Sequence, residues 1–255
     1  MWTPLEQFQI ISLVSLKMFN LDLSITNLLI VFLLLLFFFI ATLQTTSKYF
    51  TYLKGYFFFI VPNTWQFFIE IIYATVLKLL FDNLNQHGEI YFPFISMVFL
   101  FILFCNLIGL VPYSFTVTSH LIVTFSMSFS IFIGINIIGF KHYKQKLLSL
   151  FLPANTSFLL ALILVPIEFI SYIAKPISLG VRLFINLMAG HTLLKVIVGF
   201  SWSILLIEDT LSIIQIVPLI ILIILMGLEL AVAVIQAYVF TILTCIYLND
   251  SINLH

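Results

Sequence analysis

Long charge-free runs divide this chain into segments. Residues 23–47 carry no charge, and Leu28–Leu43 is almost wholly apolar. That predicts a first membrane span near 25–45, close to the ~20 residues a bilayer needs. After Pro62 the pattern changes to helical spacing. Asn63 can cap a helix whose apolar positions are Trp65, Phe68, Ile69, Ile72, Val76, Leu79 and Leu80. Glu70, Lys78 and Asp82 interrupt it, so a helix near 63–85 is expected to lie at the membrane surface or beside other helices. Residues 90–140 are again uncharged and too long for one upright helix. The sequence VPYSFTVTSH (111–120) supplies a break, giving spans near 92–111 and 120–140.

The last hundred residues follow another rule. Between 210 and 249 the only charge is Glu229, and nothing from Leu219 to Leu248 looks like a turn except Gly227. Forty helical residues extend ~60 Å, twice the ~30 Å thickness of the hydrocarbon layer. Residues 158–207 read the same way, with Pro166 and Pro176 as kink positions and Glu208-Asp209 as the turn. The expected fold is therefore an all-α polytopic membrane protein. It has upright spans, a surface helix and a C-terminal hairpin of two long, steeply tilted helices. Residues 1–157 form the N-terminal membrane scaffold and 158–255 the hairpin.

Composition and charge support that class. The 255 residues are 63% hydrophobic and 8% charged, against about 25% charged in soluble domains. The net charge is zero and the basic residues form no tract, which excludes a nucleic-acid surface. Cys105 and Cys245 are isolated, so neither a disulfide framework nor a zinc site is expected. MWTPLEQFQI has no cationic n-region and no arginine-rich presequence, so no import signal is expected there. Lysine-bearing loops follow the first span and residue 140. Both fall on the inner side if the N-terminus is outside.

The polar positions of the hairpin carry the chemistry. Arg182 is the only arginine, and the nearest charges along the chain are Lys175 and Lys195. Charged groups in hydrocarbon are rare and face a partner or a water-filled path. Glu168, Lys175 and Arg182 are spaced by seven and share one helix face, which Asn186 continues one turn on. A hairpin folded about residue 209 sets Arg182 level with Gln236, and His191 level with Glu229. Glu168 lies ~21 Å inward of Arg182 and His191 ~13 Å outward. His191 and Arg182 are half a revolution apart, on different flanks. Histidine and a desolvated glutamate both exchange protons near neutral pH. Arginine does not, and its fixed charge repels a crossing proton while attracting a carboxylate on a moving partner. Lys175 and Lys195 are expected to snorkel, and Gln215 and Gln236 to act as interhelical glue. A secondary transporter, or a structural subunit of a respiratory complex, would also account for parts of this pattern.

SLGVRLFINLMAGH (178–191) and GLELAVAVIQAYVFTILTCIYLND (227–250) resemble subunit a of the F-type ATP synthase, mitochondrial kind. CNLIGLVPYSFTVTSH (105–120) and PLEQFQI (4–10) add to the likeness, and PANTSFLL (153–160) departs from it. The resemblance implies a proton-translocating stator subunit that is not an enzyme by itself. Arg182 would face the carboxylates of the rotating c-ring, with Asn186 and Gln236 beside it. His191 and Glu229 would form the intermembrane-space half-channel, and Glu168 would lie toward the matrix half-channel. Implied partners are the c-ring, the peripheral stalk, other membrane-sector subunits and the lipid bilayer, with no cofactor and no metal. The implied location is the mitochondrial inner membrane, with the N-terminus in the intermembrane space and the C-terminus in the matrix.

Overall fold

The structure is a computed structural model, and it describes residues 6–18, 21–22, 24–52, 64–111, 114–144, 158–205 and 212–252. The Asn63 cap, the 153–157 loop and the Glu208-Asp209 turn lie outside the described residues. Six α-helices dominate: α1 (Asn27–Tyr52), α2 (Thr64–Leu84), α3 (Phe92–Gly109), α4 (Leu121–Tyr143), α5 (Phe158–Leu205) and α6 (Ser212–Ile252). Among the described residues, four helical stretches are long and apolar enough to cross a membrane, in α3, α4, α5 and α6. In α1 the described apolar stretch is Asn27–Thr42. The helix α2, which carries three charged side chains, is not among them.

The described residues group into two compact units, Met1–Val117 and Thr118–His255. In the first, four short strands precede α1: β1 (Ser12–Val14), β2 (Lys17–Met18), β3 (Leu21–Asp22) and β4 (Ile25–Thr26). β1 pairs antiparallel with β4, and β2 with β3. These ladders add to the helical fold that hydropathy predicts. Asn27 ties them to the helix: its Oδ1 accepts from Ile11 N at 3.2 Å and its Nδ2 donates to Gln9 O at 3.1 Å. Thr26 Oγ1 accepts from Leu29 N at 3.4 Å, satisfying a first-turn amide of α1. On α2, Ile69, Ile72, Val76, Leu79, Leu80 and Leu84 are buried while Phe68 is exposed. Apolar spacing had assigned Phe68 to the covered face. The covered face is aliphatic, and the described phenylalanines of α2, Phe67, Phe68 and Phe81, are all exposed.

The second unit is built from α4, α5 and α6. α5 runs unbroken through Pro166 and Pro176 for 48 residues, and α6 through Pro218 for 41. At 1.5 Å per residue these helices exceed 60 Å, so a ~30 Å layer accommodates them only at a steep inclination. Hydroxyls within the apolar runs are satisfied by their own helix. Thr124, Ser126, Ser128 and Ser130 of α4 each donate to the carbonyl three residues back, at 2.8 to 3.1 Å. α4 and α5 meet closely at Gly180, where a Cβ would come 2.8 Å from Ser128 Oγ and 3.2 Å from Thr124 O. Lipid supplies no hydrophobic drive between helices, so close approach of this kind is what holds them.

Candidate functional site

α5 and α6 pack against each other, and each buries a row of small or aliphatic side chains. Leu179, Leu183 and Leu187 recur at four-residue spacing and are buried on α5. α6 contributes buried Ala233, Ala237 and Phe240. Among these apolar residues Gln236 is also buried, and Asn186 Nδ2 donates to its Oε1 at 2.8 Å. The amide pair thus bridges the two helices, as the glue reading of Gln236 requires. The partner of Gln236 is Asn186, one turn beyond Arg182. Side chains lean along the helix axis, and a register counted from the turn overlooks that shift.

Arg182 lies on the exposed side of α5 and forms no salt bridge among the described residues. Its guanidinium has five donors and a permanent charge, so in hydrocarbon it calls for a partner or a water-filled path. Asn186, one turn on, is likewise exposed apart from its contact with Gln236.

Glu229 sits farther along the seam toward the turn. Both of its carboxylate oxygens are buried without a hydrogen-bond partner. Gly190 explains how it fits: a Cβ there would stand 2.7 Å from Glu229 Oε1. The missing side chain leaves the space that the carboxylate fills. His191 follows Gly190 directly, and its Nε2 is also buried and unpartnered. The expected level pairing of His191 with Glu229 is therefore nearly right, but the contact itself is to Gly190. Unsatisfied buried polar atoms are uncommon and call for an explanation.

Toward the other end of α5, Glu168 Oε2 is a further buried oxygen without a partner. Lys175, expected to snorkel, instead forms a salt bridge to Asp250 of α6 at 3.1 Å. Spacing along α5 gave no warning, because the acid lies on the other helix. Lys195 is exposed. The side chain of Gln215 lies outside the described residues.

The fold and these positions define a class: a polytopic helical membrane protein whose inclined hairpin carries ionisable groups along an apolar path. The family model for the ATP synthase A chain matches residues 22–249. The protein of Chondrus crispus named ATP synthase subunit a is 45% identical over 253 residues, covering 99% of this chain and 97% of that one. The proteins of the same name from Marchantia polymorpha and Pylaiella littoralis are 47% and 49% identical, each covering 99% of both chains. The chain belongs to the ATP synthase A chain family. It is the proton-translocating stator subunit of the membrane sector, and ATP is formed at sites in other subunits. It is a multi-pass membrane protein whose relatives are of mitochondrial type.

Proposed function

We infer that protons enter through an outer half-channel at His191 and Glu229 and leave through an inner one at Glu168. Arg182 stands between the two. A proton arriving at Glu229 passes to a carboxylate on a rotating c-ring. Once neutral, that carboxylate moves into lipid, and on returning it meets Arg182, which favours its charged form and sends the proton inward. Rotation is the only route because Arg182 repels a proton on the direct path. Asn186 and Gln236 hold the α5–α6 spacing beside the arginine. Residues 158–255 carry this path and residues 1–157 act as its scaffold. The peripheral stalk and other membrane-sector subunits keep the chain from turning with the ring. The chain sits in the mitochondrial inner membrane, with its N-terminus in the intermembrane space and its C-terminus in the matrix.

The observation that carries this reading is a permanent cation on an exposed helix face with no counter-ion among the described residues. Ser178 is also exposed and lies four residues from Arg182, on the same face. In the assembled complex, Ser178→Cys is expected to cross-link on oxidation to a cysteine placed one turn from the c-ring carboxylate. The cross-link stops ATP-driven proton pumping, and a reductant restores it. The native cysteines Cys105 and Cys245 are buried and do not compete. Absence of this cross-link, with one forming instead from Phe169→Cys, would place the rotor against another face of α5.

A further inference from the structure

At the end of the hairpin away from Glu229, three helices are joined by polar side chains that have no part in the proton path proposed above. Lys175 Nζ of α5 lies 3.1 Å from Asp250 Oδ2 of α6. The same ammonium stands 5.0 Å from the centre of the Tyr247 ring and 5.6 Å from that of Tyr172. Tyr172 OH donates to Asn136 Oδ1 of α4, and its ring packs on Phe132 of α4 with centroids 4.9 Å apart. Tyr143 OH, on the last residue of α4, donates to Ile252 O at the end of α6. Around this point Phe132, Tyr172, Lys175, Tyr247, Asp250 and Ser251 line a small open cleft.

We propose that Lys175 and Asp250, seated between Tyr172 and Tyr247, form a latch that ties α5 to α6 and α4 and so fixes the position of Arg182 against the rotor. The proposal rests on the reading of Arg182 given above. A stator face must hold its place while the ring pushes past it. Much of α5 is apolar surface left exposed by its own chain, and lipid contact gives no preference for one helix position over another. Directional ties are what set the position. The Lys175 and Asp250 side chains are 30% and 46% exposed, so the pair alone would contribute little. Two aromatic faces around the ammonium add attraction where water is displaced. Lys175 is seven residues from Arg182, ~10 Å along the same face, so a shift at the latch is carried by the rigid helix to the arginine.

On this account both charges position, and neither carries protons. Exchange of the two residues separates those roles, because a lysine at 250 restores the pair but no carboxylate remains there to relay. The measurement is ATP-driven proton pumping per assembled complex, with the Ser178→Cys cross-link yield read in the same preparations. Lys175→Met and Asp250→Asn are each expected to lower pumping by roughly ten- to a hundredfold, the scale of an ångström-sized misplacement of a working group. Both should also reduce the cross-link yield. Lys175→Arg keeps the pair and should keep both readouts. The double exchange Lys175→Asp with Asp250→Lys should recover most of the pumping.

Three results would overturn the latch. One is that both single variants pump normally. Another is that Asp250→Asn is inactive while Lys175→Met is active, which makes Asp250 a proton carrier. If the exchanged protein does not assemble, loss of pumping in Lys175→Arg as deep as in Lys175→Met decides against it. A parent Ser178→Cys protein that fails to cross-link at all would instead count against the reading of Arg182.

Discussion

Arg182→Ala is expected to abolish ATP synthesis by an assembled complex and to raise its passive proton leak. The sign of the leak follows from electrostatics. A unit charge ~4 Å from a proton's path, at an effective dielectric of about 20, raises the barrier by ~4 kcal/mol. That corresponds to ~10³ in permeation rate. Water entering the vacated space offsets part of this, so a leak increase of about tenfold or more is expected in vesicles carrying the membrane sector alone. Synthesis falls because protons that cross directly turn no ring. Arg182→Lys separates charge from permanence: lysine loses its proton when desolvated, whereas arginine keeps it. Lysine is therefore expected to block the leak only in part and to leave synthesis strongly impaired. Normal synthesis by the alanine variant would reduce Arg182 to a packing residue.

Glu229→Gln is expected to act in the opposite direction on the leak. Glutamine preserves the shape that fills the space beside Gly190 but cannot take up and release a proton. Groups that transfer protons contribute about 10²–10⁴ in rate, so synthesis should fall by at least ~100-fold. Passive conductance should fall with it, because entry itself is blocked. Stopped-flow measurement of proton uptake, driven by an imposed potential, reads this directly. A variant that conducts as well as the parent would show that protons bypass Glu229, and that its unpartnered oxygens have another cause.

The opposite leak responses of Arg182→Ala and Glu229→Gln identify the roles more sharply than loss of synthesis does. Both variants should be inactive in synthesis. Only a barrier residue raises the leak when removed, and only a path residue lowers it.

Much of this was legible in the chain. The helices α3 and α4 follow from a charge-free run longer than one bilayer crossing, and the hairpin of α5 and α6 from apolar runs too long for upright spans. Arg182, Glu229 and His191 stood out because ionisable groups are costly among apolar neighbours. The strands β1 to β4 were not legible. They are two or three residues long, and IISLVSL (10–16) does not alternate polar with apolar. Two site features escaped for a different reason. The fit of Gly190 to Glu229 and the Lys175–Asp250 pair depend on how two helices lie against each other. A signal for the second did exist: Lys175 and Asp250 are opposite charges in the parts of α5 and α6 farthest from the turn. Helix contacts can be counted from a turn only to within about one turn, and Asn186 with Gln236 shows the size of that error.

The most direct test asks from which side of the membrane each half-channel opens. With Cys105 and Cys245 replaced by serine, His191→Cys and Glu168→Cys are placed singly in assembled complexes in sealed vesicles. A membrane-impermeant, water-sized thiol reagent is then added to one side at a time. The account predicts that position 191 reacts only from the outer side and position 168 only from the inner side. Reaction of both from the same side, or of either from both sides in the presence of Arg182, would contradict two offset half-channels.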